Sequence, residues 1–159
     1  MEHRANLQTG GAMTLEQLAA VFDSAANTLD RKRPETVSMI GDDIAAAARG
    51  KLGEYQGSAA PFRAWEPLAE STIDNRIALG YSPEDPGRRS GDGARSIETN
   101  VTREGNSATA HVGTNLKYMR HFEEGTKTQP PRSFLGSSAV EGTDDAVKRV
   151  LAGIKEAFK

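Results

Sequence analysis

The chain has 159 residues, with 20 Lys and Arg against 22 Asp and Glu, and 36% of its residues are apolar. This length fits one domain with a buried core, while the lean apolar fraction predicts that part of the chain is exposed arm or loop. The net charge of −2 disfavours a dedicated duplex-binding protein, which usually carries a basic excess. The lack of cysteine excludes disulfides, thiolate nucleophiles and zinc sites with cysteine ligands.

The hydropathy of the chain and its N-terminal sequence indicate the expected cellular location. No stretch reaches the roughly 20 apolar residues that a membrane span needs. The polar N-terminus lacks the apolar segment of a secretory signal. We therefore expect a soluble protein in a cytoplasmic setting. We predict a flexible N-terminal arm over residues 1–13 and a single domain over residues 14–159.

Two helices are predicted after the arm. Thr14 is a good N-cap and Gln17 stands at the capping-box position. The basic run at 31–33 interrupts the helical pattern near Asp30, and Pro34 suits the first turn of a second helix that ends near residues 50–53. The apolar residues at helical spacing are Leu15, Leu18, Phe22, Ala25, Ala26 and Leu29, and then Val37, Ile40, Ile44, Ala48 and Leu52.

A third helix is predicted to open at Trp65 and to stop at Gly80. Trp65, the single tryptophan, is expected to anchor the core. Residues 81–93 are mostly proline, glycine and charged residues, and this composition predicts a long exposed loop. Alternation after Gly93 then predicts a β-hairpin with its turn at 104–106.

The segment 112–136 is predicted to be the hub of the fold. A short helix over 116–124 would bury Tyr118, Met119 and Phe122, and Gly125 would end it as a left-handed cap. The proline pair at 130–131 would stiffen the approach to an edge strand at 133–135, which contains Phe134.

A final helix is predicted over 139–158. Its apolar positions recur at helical spacing and are expected to be buried: Val147, Val150, Leu151, Ile154 and Phe158. The resulting fold class is α+β, with a small antiparallel sheet, formed by the hairpin plus the edge strand, packed against N-terminal helices and one C-terminal helix.

Few residues of the sequence are arranged as a catalytic or metal-binding group would require. His121 and Glu123 share one short stretch, but no second histidine lies one turn away to complete a metal site. No serine sits in a nucleophile elbow, and the carboxylates are scattered. We therefore predict no catalytic, cofactor-binding or metal-binding residue and no enzyme. A hydrolase using His121 and Glu123 is an alternative that would need a pocket around both.

An ordered set of motifs covers residues 65–137 and resembles the virion-morphogenesis or tail-completion family of long-tailed bacteriophages. The first 60 residues carry no matching motif, and the chain departs from the family pattern at Gly93, Met119 and Glu124. The matching pieces are Trp65-x-Pro-Leu-Ala-x-Ser-Thr-Ile with Arg76 and Leu79-Gly80-Tyr81, Ser90-Gly91, Ser96-Ile97, Val112-Gly113-Thr114, Tyr118 with His121-Phe122-Glu123-x-Gly125-Thr126, and Pro130-Pro131-Arg132-x-Phe134-Leu135-Gly136.

The resemblance implies a structural phage or prophage protein that completes the tail or joins it to the head. Such a protein is assembled in the host cytoplasm and resides in the virion, as a commonly hexameric ring that contacts other neck and tail proteins. It implies no cofactor, membrane or small-molecule substrate, and DNA would pass through the lumen without specific binding. The residues expected at assembly interfaces are Arg88, Arg89, Tyr118, Glu123, Gly125, Thr126, Pro130, Pro131, Arg132 and Phe134.

A different class of function also stays open. The basic run at 31–33, together with Arg88 and Arg89, could contact phosphates. The alternative is therefore a nucleic-acid-binding phage accessory protein, against which the net charge argues.

Overall fold

The computed structural model describes residues 13–159, and within them it confirms the α+β class. All but the last residue of the predicted arm lies outside the described residues. Between residues 13 and 159, none of the helices combines the length and the apolar character needed to cross a bilayer. The elements in chain order are α1 (Leu15–Lys51), α2 (Glu70–Ala78), α3 (Asp92–Arg95), β1 (Glu98–Glu104), β2 (Ser107–Gly113), α4 (Lys117–Glu124), α5 (Leu135–Glu141) and α6 (Thr143–Ala157).

The two predicted N-terminal helices are in fact one helix, α1, of 37 residues. The predicted start is confirmed, because Gln17 N donates to Thr14 Oγ1 at 3.2 Å and Thr14 N donates to Gln17 Oε1 at 3.0 Å. The predicted break is wrong, since Pro34 lies inside the helix. A proline there removes one backbone hydrogen bond. Packing of α1 against the hairpin, α5 and α6 compensates for that loss.

The predicted hairpin is confirmed. β1 and β2 pair antiparallel, with Thr99 opposite Val112 and Val101 opposite Ala110, and the chain turns between Glu104 and Ser107. The sheet packs on α1. The less exposed positions of the two strands alternate as the sequence pattern requires.

The predicted edge strand at 133–135 is wrong, because within residues 13–159 the only sheet is the two-stranded hairpin. Phe134 is instead the N-cap of α5. The single C-terminal helix expected over 139–158 is likewise divided at Gly142 into α5 and α6. The backbone N–H groups of 134–136 donate to the Glu123 carboxylate and so need no neighbouring strand.

The third helix starts later than predicted, at Glu70 rather than Trp65. Backbone groups of 65–67 are bound by distant partners instead: Trp65 N donates to the Gln56 carbonyl at 2.9 Å. The predicted end is confirmed, since Gly80 follows the helix with φ of +75°. The loop that follows runs to Gly91, the N-cap of α3, and Pro86 within it is buried.

The core forms where α1 meets the hairpin, α4 and the start of α5. Trp65 packs edge-on against Phe122 with ring centroids 5.3 Å apart, and Phe122 packs against Phe134 at 6.1 Å. Trp65 is thus the core anchor that the sequence predicts. The buried hydrophobic cluster consists of Ala45, Ala48, Leu52, Trp65, Ile97, Met119, Phe122 and Phe134.

Two predictions about α4 need correction. Met119 and Phe122 are buried as expected, but Tyr118 is 54% exposed. Gly125 ends the helix with positive φ, yet its ψ of 178° is extended rather than left-handed helical. A Cβ at Gly125 would lie 2.8 Å from Pro131 N, so the return of the chain toward the proline pair needs glycine here.

The apolar stripe predicted to be buried on α6 is exposed. α6 packs against α1, but none of its residues is fully buried. Its less exposed positions are Ala146, Arg149, Gly153 and Ala157, which recur at three- and four-residue spacing. The large apolar residues Val147, Val150, Leu151, Ile154 and Phe158 are all at least 38% exposed. The helix therefore turns Ala146, Gly153 and Ala157, together with Arg149, to α1, and its large apolar residues to solvent.

Candidate functional site

Glu123 binds the start of α5 with both carboxylate oxygens. Oε2 accepts hydrogen bonds from Phe134 N at 2.7 Å and Leu135 N at 2.9 Å. Oε1 accepts from Ser133 Oγ at 2.6 Å and Gly136 N at 2.9 Å. A carboxylate satisfies otherwise unpaired N–H groups at a helix start and complements the positive end of the helix dipole. Glu123, expected at an assembly interface, therefore connects the end of α4 to the start of α5.

Arg132 holds the segment that precedes α2. Its Nη2 donates to the carbonyls of Glu66 at 2.9 Å and Pro67 at 3.0 Å, and its Nε donates to Glu66 at 3.1 Å. Trp65 Nε1 adds a hydrogen bond to the Ser133 carbonyl at 3.1 Å. Burial lowers the pKa of Arg132, an effect that nearby Tyr55 and Glu66 oppose. A guanidinium nevertheless keeps its charge in proteins, so this buried cation binds carbonyl dipoles.

Arg76 holds the long loop in the same way. Its Nε donates to the Ser82 carbonyl at 2.6 Å, and its Nη2 donates to the carbonyls of Asp85 at 3.0 Å and Arg88 at 2.8 Å. The Arg76 residue is 6% exposed, so these contacts are shielded from water. The loop backbone is thus fixed by one side chain, although Arg88 and Arg89 within it are exposed.

A groove of about 880 Å³ lies beside this hub. Its walls are the residues before and within α2, the end of the long loop, one side of α4, and the segment around 128–132. Four predicted interface residues line it: Arg89, Tyr118, Pro130 and Arg132. The other six, Arg88, Glu123, Gly125, Thr126, Pro131 and Phe134, are not among its lining residues.

Polar groups at one rim of the groove are bound to each other. Ser90 Oγ donates to Asp92 Oδ2 at 2.5 Å, and Arg95 forms an ion pair with the same carboxylate. The hydrogen bonds from Ser90 and then Arg95 lower the pKa of Asp92. Arg89 lies 4.9 Å from the centre of the Tyr81 ring, a cation–π contact.

The groove does not contain the two residues that the alternative hydrolase would use, His121 and Glu123. His121 is exposed and is not among the residues that line the groove. Both oxygens of Glu123 already accept hydrogen bonds, which leaves that carboxylate no free role as a base. For residues 13–159, no cluster of three or more His, Asp or Glu side chains is arranged to hold a metal ion.

The basic residues of the nucleic-acid alternative do not come together. Arg33 forms an ion pair with Asp30 at 2.6 Å and also contacts the carbonyl of Asn106 at the hairpin turn. Lys32 lies 3.5 Å from Glu156. Arg88 instead lies beside Gly53, just beyond the far end of α1. Residues 33 and 51 of α1 are about 27 Å apart along the helix axis, so the two basic clusters do not form one surface.

A second surface, the exposed apolar face, was not predicted from the sequence. It comprises exposed residues of two helices that meet where Phe22 packs edge-on against Phe158, with ring centroids 5.7 Å apart. Every residue from 13 to 24 is exposed. One feature of the sequence could have indicated this face. α6 carries small residues, Ala146, Gly153 and Ala157, on a different side from its large apolar residues, and that side can pack against α1 instead. Its members are Leu15, Leu18, Val21 and Phe22 of α1 and Val147, Val150, Leu151, Ile154 and Phe158 from α6 and its C-cap.

Comparisons of the chain with known protein families, with curated proteins and with solved structures found no match.

Proposed function

We propose that this protein is a structural subunit that works by self-assembly, as a ring at the neck or tail top of a long-tailed phage. In that position it would complete the tail or join it to the head. The observation that carries the proposal is the exposed apolar face on α1 and α6. Monomeric soluble proteins rarely expose large contiguous apolar surfaces, and those that are exposed usually mark an interaction site.

The arrangement of the family-like motifs supports the same proposal. Three of the motifs supply residues that hold a loop, a helix start or the core: Trp65 and Arg76 from the first, Glu123 from another, and Arg132 and Phe134 from the last. Proteins of one family would share the residues that specify their fold, even where they bind different partner proteins. The motifs therefore fit a scaffold whose work is done at its surfaces.

The hub also presents a rigid second surface. The proline pair stands between the turn at Gly125 and the buried Arg132, and Pro130 lines the groove together with the exposed Tyr118. A groove with fixed walls and an exposed aromatic side chain suits a contact with a neighbouring virion protein. The apolar face would then serve contacts within the ring, and the groove would serve contacts above or below it.

The oligomeric state of the purified full chain tests the proposal. We expect analytical ultracentrifugation to show a discrete oligomer at micromolar concentration, and electron microscopy to show closed rings. Phages lacking the gene should yield separate heads and tails. A chain that stays monomeric over this range, together with normally joined particles in its absence, would overturn the proposal.

A double substitution separates assembly from folding. Pro130→Ala with Pro131→Ala should preserve helix content by circular dichroism and yet impair ring formation or head joining. The matched control is Pro83→Ala, a proline in the long loop outside the hub. Wild-type assembly by the double variant would show that the proline pair has no part in assembly.

A further inference from the structure

We infer that the first two turns of α1 in one copy, residues 15–22, dock antiparallel on the exposed stripe of α6 in the next copy. The inference rests on the proposed function only in assuming that copies of this chain assemble.

The donor surface is the capped and exposed start of α1. The reciprocal hydrogen bonds of Thr14 and Gln17 close the start of α1, although this region is exposed on all sides. Phe158 follows the end of α6 and packs on Phe22. Since α6 runs antiparallel to α1, with Arg149 bound to Asp43, the turns before Phe22 extend past its end. Leu15, Leu18 and Phe22 form one stripe on these turns.

The receptor surface is the stripe of α6 that stays exposed beside its own α1, which touches the stripe at Phe158 through Phe22. Val147, Leu151, Ile154 and Phe158 recur at alternating spacings of four and three residues. This is the spacing at which one helix accepts side chains from another in coiled-coil packing. The small residues on a different side of α6 already pack on α1, so an incoming helix can lie on the stripe without displacing that contact.

Charges beside the two stripes are complementary. Glu16 and Asp23 are seven residues apart and each directly follows a residue of the α1 stripe, so both lie on the same side of it, and residues 13–28 contain no Lys or Arg. Lys148 and Lys155 are also seven residues apart and each directly follows a residue of the α6 stripe, on the corresponding side. Lys148 also pairs with Asp145 of its own helix at 2.9 Å, and that pair is exposed. Antiparallel helices bring corresponding flanks together. This docking therefore pairs Glu16 with Lys155 and Asp23 with Lys148, and it places Leu18 beside Ile154.

The same charges argue against the simpler symmetric pairing of two α1 helices. That pairing would bring the acidic flanks of both copies together, which costs free energy. Docking α1 on α6 of the next copy is head-to-tail, and contacts of that kind produce rings when the rotation between copies closes. The acidic side of α1 and the lysines beside the α6 stripe thus favour head-to-tail docking over the symmetric pairing.

Disulfide trapping tests the contact directly, because the natural chain has no cysteine. Leu18→Cys and Ile154→Cys chains, one of them carrying a mobility tag, are mixed before assembly and mildly oxidised. We expect the mixed dimer to be the main product. Ala20→Cys lies on the opposite side of α1 and is the matched control, which should give at least tenfold less mixed dimer. Dimers of the Leu18→Cys chain with itself would overturn the inference in favour of α1 pairing with α1.

A charge exchange provides a second readout. Glu16→Lys and Lys155→Glu should each weaken self-association about fivefold, and the double variant should recover it, as expected for exposed ion pairs. A purely structural role of Glu16 at the helix start would give no recovery. If the wild-type chain assembles but neither trapping nor recovery occurs, this inference fails and the proposed function stands. If the wild-type chain never assembles, both fail.

Discussion

Glu123 and Phe134 are joined by a 2.7 Å hydrogen bond from the Phe134 backbone N–H to the Glu123 carboxylate. The contact connects the last turn of α4 to the first turn of α5 across the proline pair. It also explains why residues 133–135 begin a helix. With a carboxylate satisfying the first N–H groups, the chain can turn into α5 without a strand partner.

Removing the charge of Glu123 should therefore destabilise the fold. Glu123→Gln places an amide NH2 group opposite backbone donors, and we expect a loss of about 2–4 kcal/mol in the free energy of unfolding. Urea denaturation measures it. The control is Glu124→Gln. The Glu124 carboxylate forms an exposed pair with Arg120, so this substitution should cost at most about 0.5 kcal/mol. Equal losses for the two variants would contradict the capping role.

Gly87 and Gly80 provide a matched pair for the packing of the long loop. Their φ angles are +76° and +75°, but a Cβ at Gly87 would lie 2.7 Å from Leu52 Cδ2 and 2.9 Å from Phe122 Cζ, while Gly80 faces open space. Gly80→Ala should cost about 1–2 kcal/mol of unfolding free energy through backbone strain alone. Gly87→Ala should cost about 1–3 kcal/mol more, because the core must shift. Thermal denaturation of both variants measures the difference, and its absence would mean that this loop is not packed on the core.

Pro34→Ala tests whether the proline inside α1 destabilises the helix. Alanine restores one backbone hydrogen bond and removes the steric conflict of the ring, so we expect a gain of about 1–3 kcal/mol in unfolding free energy. Chemical denaturation monitored by circular dichroism measures it, with Glu35→Ala as the exposed control. Destabilisation by Pro34→Ala would show that the proline ring makes contacts worth more than the missing hydrogen bond.

Arg76→Lys should loosen the long loop while keeping the charge. Lysine cannot bind the three carbonyls that the guanidinium holds, so the backbone near Arg88 and Arg89 should open more often. We expect trypsin to cleave there at least tenfold faster. Arg103→Lys, on the exposed hairpin, is the control and should leave the rate of cleavage within this loop unchanged. An unchanged rate for Arg76→Lys would assign the order of the loop to Pro86 and its neighbours instead.

Asp92 gives a prediction about pH. Hydrogen bonds from Ser90 and then Arg95 lower its pKa in the folded protein. A carboxyl group with a lowered folded-state pKa stabilises the fold above its ordinary value near 4, and that stabilisation is lost as the pH falls through the lower folded-state value.

The Asp92 pKa can be followed by NMR of its carboxyl carbon. Ser90→Ala should raise the pKa of Asp92 toward the ordinary value, because it removes the hydrogen bond that lowers this pKa most. Ser71→Ala, in α2, should leave it unchanged. A pKa for Asp92 that does not move in the Ser90 variant would show that Arg95 alone holds it low.

The groove could be anticipated only in part. Tyr118, Pro130, Arg132 and Arg89 were predicted as interface residues and do line one groove. Their meeting depends on contacts such as that of Arg132 with Glu66, which are 66 residues apart in the chain. No local pattern encodes which carbonyl a buried arginine will bind.

The sequence by itself determined the features whose interactions are local. The capping box at Thr14 and the hairpin of β1 and β2 follow from neighbouring hydrogen bonds and from the alternation of side chains. Only the tertiary structure decided what happens at Pro34, at Phe134 and along α6. In each case a distant partner settles the outcome: packing keeps α1 continuous, Glu123 makes 134–136 a helix start, and α1 accepts the small side of α6. An apolar stripe specifies that a face prefers to be buried, but what covers it depends on elements elsewhere in the chain or in another copy.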